Sequence, residues 1–189
     1  MLKTAKKMAS WVFSVFRDRS PFLMLTLFKT MVRSRLEYCC PVWNPSKITD
    51  IEAIENVQRN YTRRILGCQQ LDYWDRLKKL DLLSLQRRRE RYILIHTWKM
   101  ANDLAPNDIK MVFKENARHG TKAIVLPLNN KSQRSVATHY ENSFGVNAAR
   151  LWNLLPRQVF PDTPPTKGYT AITNNSLLEW NLQKDLNQE

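Results

Sequence analysis

From Asp50 onward, Ile51, Ile54, Val57, Tyr61 and Ile65 recur every three to four residues, the spacing of one buried helical face. Just upstream, Pro41 and Pro45 bracket Val42, Trp43 and Asn44. Each proline removes an amide donor and restricts the residue before it, so no helix can run through the corner at 36–45. The chain must therefore break into helical runs that meet there. Asp50 is the expected N-cap of the second run, with Glu52 and Glu55 in its first turns and Gly67 as its stop. Arg59, Arg63 and Arg64 fall in its second half, where cations suit the helix dipole. An ordinary helix with a solvated polar face fits this pattern, and so does a cationic binding face. Trp43 is expected to plug the core rather than to stack bases.

On either side the same reasoning gives more helix. Residues 4–16 place Met8, Trp11, Val12, Val15 and Phe16 on or near one face. Ser20 and Pro21 read as the N-cap and first position of a helix over 22–35, with Leu25, Phe28, Val32 and Leu36 as its stripe. A short helix follows over 73–80, with Leu77 and Leu80 inward and Arg76, Lys78 and Lys79 outward. Ser84 then caps a long helix over 85–102. Arg87, Arg88, Arg89 and Arg91 crowd its start, and at 100° per residue they cannot share one face. Some must pair with Glu90 or nearby acids, while the rest can meet phosphates.

Periodicity fails over 104–140, a basic stretch with Pro106, Pro127 and a β-prone run at 123–128, which reads as a loop or weak hairpin. Ser143 caps a helix over 144–154 with Phe144, Ala148, Leu151, Trp152 and Leu155 as its stripe. Beyond Pro156 a proline-rich linker leads to a short helix at 176–186. The expected fold is thus mainly α: an irregular multi-helix domain with a basic loop or weak hairpin near 104–140 and a loosely attached C-terminal tail. Its expected parts are a helical region 1–103, a basic loop with an aromatic helix at 104–156, and a linker with a terminal helix at 157–189.

Thirty Lys and Arg against seventeen Asp and Glu give a formal charge of +13. Such a field attracts polyanions, nucleic acid first and anionic membranes second, without selecting a function. Aromatic content of 10% and only four glycines argue for regular structure rather than general disorder. The odd count of three cysteines, with Cys39 adjacent to Cys40, builds no disulfide framework, so a reducing compartment is the default. The sequons at Asn60, Asn130 and Asn174 then carry no expectation of glycosylation. The N-terminal apolar run at 8–16 is short, holds two serines and runs into Arg17, unlike a secretory signal. Being basic, amphipathic and acid-poor, it leaves a mitochondrial presequence as the lesser alternative to a nuclear or cytoplasmic location. No run of eighteen apolar residues exists to span a bilayer, and no membrane partner is expected.

The segment LEYCCPVWNPSKITDIEAIENVQRNYTRRILG resembles a stretch of non-LTR (LINE-type) retrotransposon polyproteins of the jockey and related groups. The residues that carry the likeness are Leu36, Glu37, Tyr38, Val42, Trp43, Pro45, Ile54, Glu55, Val57, Gln58, Arg59, Arg63, Ile65 and Gly67. It continues through YWDRLKKLDLLSLQRRRERYILIHTWKMAND and closes with SFGVNAARLWNLLP. In those proteins this region follows the catalytic palm of the reverse transcriptase, in and beyond the thumb. The resemblance implies an origin in an RNA-directed DNA polymerase and contact with template RNA or primer duplex through phosphates. Arg59, Arg63, Arg64, Arg87, Arg88, Arg89 and Arg91 are the candidates for those contacts, with RNA or DNA, and the palm of a full-length element, as expected partners. The tail departs from the family, matching its phenylalanine-lysine-leucine helix only loosely at Leu177, Trp180 and Leu182.

No chemistry accompanies the likeness. A reverse transcriptase holds two metal ions on paired aspartates, and this sequence has no Asp-Asp pair; Met1 falls after the place where the palm would end. His96, His119 and His139 are scattered, and Cys39, Cys40 and Cys68 lack zinc-site spacing. There is no phosphate-binding glycine loop, no G-x-S-x-G and no dinucleotide fingerprint. The expectation is a binding segment rather than an enzyme, with no metal and no cofactor. Two other expectations remain: a degenerate transposon copy without a selected role, and a co-opted helical protein-interaction module.

Overall fold

The computed structural model describes residues 1–102, 104–106, 111–116, 121–125 and 143–155. Within these residues the fold is mainly α, with one two-stranded sheet. The expected linker and terminal helix at 157–189, and much of the loop over 104–140, lie outside them. The chain divides into two compact units, 1–89 and 90–189, so the division falls inside the long helix rather than after residue 103.

In the first unit, helix α1 (Leu2–Val15) buries Ala5 and Val12 completely and ends where Phe16 turns extended. The Asp18 carboxylate then accepts bonds from the Ser20 amide at 2.8 Å and the Ser20 hydroxyl at 2.9 Å, which turns the chain into Pro21. Ser20 stands at the N-cap as expected, but its side chain is spent on Asp18 and makes no capping bond to the helix.

Three segments follow without a break: α2 (Pro21–Leu27), a π-helical stretch (Phe28–Arg33) and α3 (Ser34–Glu37). The side chains buried here are Met24, Phe28, Val32 and Leu36, spaced by four, with Leu25 only half-buried. A strict spacing of four drifts around an α-helix, whereas the wider turn of a π segment keeps it on one side. That is why Met24 takes the place expected for Leu25. On the exposed side Thr26 and Thr30 donate to the carbonyls of Phe22 and Thr26 at 2.9 and 2.8 Å, a back-bonding that favours such bends.

The corner breaks helix as its prolines require. Cys39 adopts a left-handed φ of 51°, and then a single turn, α4 (Cys40–Trp43), carries Pro41 in its first positions, where a missing amide is harmless. Trp43 packs half-buried on the core and donates its indole N–H to the Tyr38 carbonyl at 2.6 Å.

Helix α5 (Ile48–Thr62) begins earlier than the sequence indicates: Lys47 is the N-cap, without a side-chain bond, and Asp50 sits in the first turn. Two adjacent rows of α5 are buried, Ile54–Val57–Tyr61 and Glu55–Gln58–Thr62. Tyr61 lies between Phe13 and Phe28, with ring centroids 4.7 and 4.8 Å away, and its hydroxyl donates to the Met24 carbonyl at 3.0 Å. The helix ends at Thr62 and unwinds through turns to Gly67, whose φ of +76° lies in the left-handed region that favours glycine. Helix α6 (Tyr73–Lys79) is capped by Asp72, whose carboxylate accepts from the Trp74 amide at 3.2 Å. Helix α7 (Leu85–Ala101) opens as expected, with the Ser84 hydroxyl accepting from the Arg87 amide at 3.3 Å.

Among its described residues the second unit holds the rest of α7, a hairpin and one more helix. Strands β1 (Val112–Asn116) and β2 (Thr121–Val125) are antiparallel, with Phe113 opposite Ile124. Helix α8 (Phe144–Asn153) follows Ser143, which stands at the N-cap but makes no side-chain capping bond. The core here joins Ile93, Leu94 and Trp98 of α7 to Ile124 and to Ala148, Ala149 and Trp152 of α8. Asn153 donates to the Ile124 carbonyl and accepts from the Ile124 amide, both at 3.0 Å. One side-chain amide thus occupies the backbone edge of β2 that β1 leaves open. No helix among the described residues is long and apolar enough to cross a membrane.

Candidate nucleic-acid interface

The last turn of α5 and the turn after it carry Arg59, Arg63 and Arg64, all exposed. Arg59 and Arg63 are four apart and so share a face of the helix path. Two of the three guanidiniums rest on aromatic rings. Arg59 lies 4.8 Å from the centroid of the Tyr73 ring, and Arg64 lies 4.9 Å from that of Phe13. Arg19 reaches the same Phe13 ring at 4.8 Å and donates to the Phe13 carbonyl at 2.8 Å. A guanidinium resting on a ring loses less freedom on meeting a phosphate and keeps its edge donors available.

The ground beneath these arginines is held firmly. The Leu66 amide donates to the Arg19 carbonyl at 2.8 Å, and Lys79 Nζ donates to the Gly67 carbonyl at 2.8 Å. Buried Arg76 donates to Thr62 Oγ1 at 3.3 Å and to the Leu71 carbonyl at 2.5 Å. The irregular stretch after α5 is therefore tied to α6 and to the α1–α2 connection, so the cationic turn has a fixed shape.

Tyr73 is the pivot, because its ring supports Arg59 while its hydroxyl enters a buried polar network. That hydroxyl donates to Glu55 Oε1 and lies 3.1 Å from the side-chain amide nitrogen of Gln58. Gln58 also donates to the Leu83 carbonyl at 3.0 Å. The Glu55 carboxylate accepts from the Leu85 amide at 3.0 Å and from the Gln86 amide at 3.3 Å. A side chain of α5 thus satisfies the first free amides of α7, a cap delivered from another helix. Burial raises the pKa of Glu55; the Tyr73 hydroxyl, the Leu85 and Gln86 amides and the Arg89 charge act against that rise. Burial, and then the charge of Glu55, push the Tyr73 phenol far up as well.

Two of the arginines at the start of α7 belong to this interior rather than to the surface. Arg87 is 6% exposed and Arg89 1% exposed. Arg89 donates to Asn44 Oδ1 at 3.1 Å, tying α7 to the proline corner. Arg88 makes a bidentate ion pair with Glu37 of α3, its second contact at 3.0 Å. Arg91 is half-buried in the second unit. The structure therefore leaves Arg59, Arg63 and Arg64 exposed at the end of α5, Arg59 over Tyr73 and Arg64 over Phe13. Arg87 and Arg89 do not present side chains there, since both are buried, Arg89 with its guanidinium on Asn44 of the corner.

Arg19, Phe13, Tyr73 and Lys79 join the site without having been singled out from the sequence. Their sequence signal is the closeness of aromatic and basic residues, at Phe13, Phe16, Arg17 and Arg19 and at Tyr73, Trp74, Arg76 and Lys79. Among the described residues no group of three or more His, Cys, Asp or Glu side chains could hold a metal ion. Comparison with family models, with curated proteins and with solved structures gives no match.

Proposed function

We propose that the chain derives from the thumb and post-thumb region of a LINE-type retrotransposon reverse transcriptase and retains sequence-independent binding to an RNA or DNA backbone. The observation that carries this reading is the exposed Arg59–Arg63–Arg64 surface, two of its guanidiniums fixed on rings, in a protein of charge +13. The resemblance over 36–67 supports it from the sequence side. The reading is of a binding segment, not a polymerase, because the sequence offers no Asp-Asp pair for two-metal chemistry. Exposed apolar side chains at Trp11, Val15 and Phe22 fit a surface that would meet the palm of a full-length element.

The test is the salt dependence of duplex binding. If each arginine neutralises one phosphate, Arg59→Ala, Arg63→Ala and Arg64→Ala combined lower the slope of log K against log salt by about 3. The loss should be uniform across sequences. An unchanged slope in the triple variant would overturn the assignment.

A further inference from the structure

Trp74, the second residue of α6, is 47% exposed, an unusual state for so large an apolar ring. The indole sits beside the cationic surface, its centroid 5.3 Å from that of Tyr73, the ring that Arg59 covers. One turn further along α6, on the same face, Lys78 is exposed as well. The exposed indole therefore neighbours the ring that carries Arg59 and has Lys78 one helical turn further on. Two carboxylates, Asp72 and Asp75, are exposed close by, and the first accepts the Trp74 amide as a helix cap. They oppose phosphate, and the Asp72 charge acts on Arg59 itself; the attraction comes from the exposed cations Arg59, Arg63, Arg64 and Lys78, which outnumber these two acids.

The rings of the site are not equivalent. Tyr73 is buried beneath Arg59, and Phe13 is taken up by Arg19 and Arg64. Neither has a face to offer an incoming base, whereas Trp74 does. Aromatic rings in a positively charged groove are the recurring means of gripping single strands, because every base has a π-face and only an unpaired base can reach a protein ring.

We propose that Trp74 is a stacking platform for an unpaired base, with Arg59 and Lys78 holding phosphates beside it, so that this surface takes single-stranded RNA or DNA in preference to duplex. The inference rests on the backbone-binding reading and deepens it by naming the strand state.

The experiment measures fluorescence anisotropy of the full chain with a labelled oligo-uridine and with a labelled duplex of equal length, at low and moderate salt. Trp74→Ala should weaken single-strand binding by about 5- to 100-fold. Its salt slope should match wild type, because no phosphate contact is removed. Duplex affinity should stay within about twofold of wild type. Trp74→Phe should recover most of the loss, whereas Trp74→Leu, which keeps apolar bulk without a ring, should not. Equal losses on both ligands, no loss on either, or rescue by leucine would overturn the platform. Salt-sensitive wild-type binding that is indifferent to Trp74 overturns this inference alone. Absence of wild-type binding to both ligands at low salt overturns the backbone-binding reading as well.

Discussion

Replacing Glu55 by alanine should unlatch α7 from α5. The substitution leaves the amides of Leu85 and Gln86 and the hydroxyl of Tyr73 without their acceptor, and the Glu55 site is buried. A buried donor deprived of its partner costs about 1–3 kcal/mol. The three costs do not add fully, because water can enter the space left behind and Gln86 is only partly covered. A loss of about 3–5 kcal/mol is expected, a large share of a typical domain's stability. Urea unfolding followed by far-UV circular dichroism measures it. Glu55→Gln keeps the volume and one carbonyl acceptor but turns an NH2 group toward the α7 amides, so its loss should be smaller, about 1–3 kcal/mol. The pH profile gives an independent check. Because burial raises the folded pKa of Glu55, the native state holds its proton more tightly than the unfolded chain. Wild type should therefore lose stability from this group as pH rises past its ordinary value of 4.5, and Glu55→Gln should lack that component. Asp18 and Asp72, whose pKa values are lowered mainly by bonds from backbone amides, act in the opposite sense in both proteins and cancel in the difference. A Glu55→Ala loss below about 1 kcal/mol would refute the idea that α5 supplies the cap of α7.

Asn153→Ala should remove protection from hydrogen exchange at the Ile124 amide and cost the second unit about 1–2 kcal/mol, because two bonds to the β2 edge vanish. Unchanged protection would mean that the edge is held by other contacts. Alkylation with iodoacetamide near pH 8 should label exposed Cys39 well before Cys40, whose thiol is pushed up to about 11 by burial and then by the Glu37 charge. Peptide mapping that finds Cys40 labelled first would contradict the packing of the corner.

Much of the helical order is legible in the sequence because its signals are local. The stripe of α5, the Ser84 cap and the break just before Pro41 each depend on residues a few positions apart. The β-prone run at 123–128 overlaps a real strand, though β2 is Thr121–Val125 and begins earlier than the sequence places it. What stays hidden depends on residues distant in the chain. Glu55 and Gln58 look like solvated members of a polar face, yet their partners Tyr73, Leu83 and Leu85 lie well downstream. A trace of this was present: Glu55, Gln58 and Thr62 recur at helical spacing beside the apolar row, which is what a second buried face made of polar residues looks like. The π-helical stretch that lets Met24 displace Leu25 leaves no comparable mark. For the arginines, charge indicates a partner class but not exposure. Arg59, Arg63 and Arg64 lie where α5 unwinds, while Arg87 and Arg89 are drawn inward at the start of α7.

The most direct test of the central claim is thermal unfolding of the full chain with and without an RNA–DNA duplex, at low and moderate salt. A duplex at a hundred times its Kd stabilises the folded state by about 2.7 kcal/mol. The account predicts a cooperative transition that moves up with duplex and loses that shift as salt rises, in step with phosphate contacts. A transition that duplex does not move at low salt, or the absence of any cooperative transition, would contradict it.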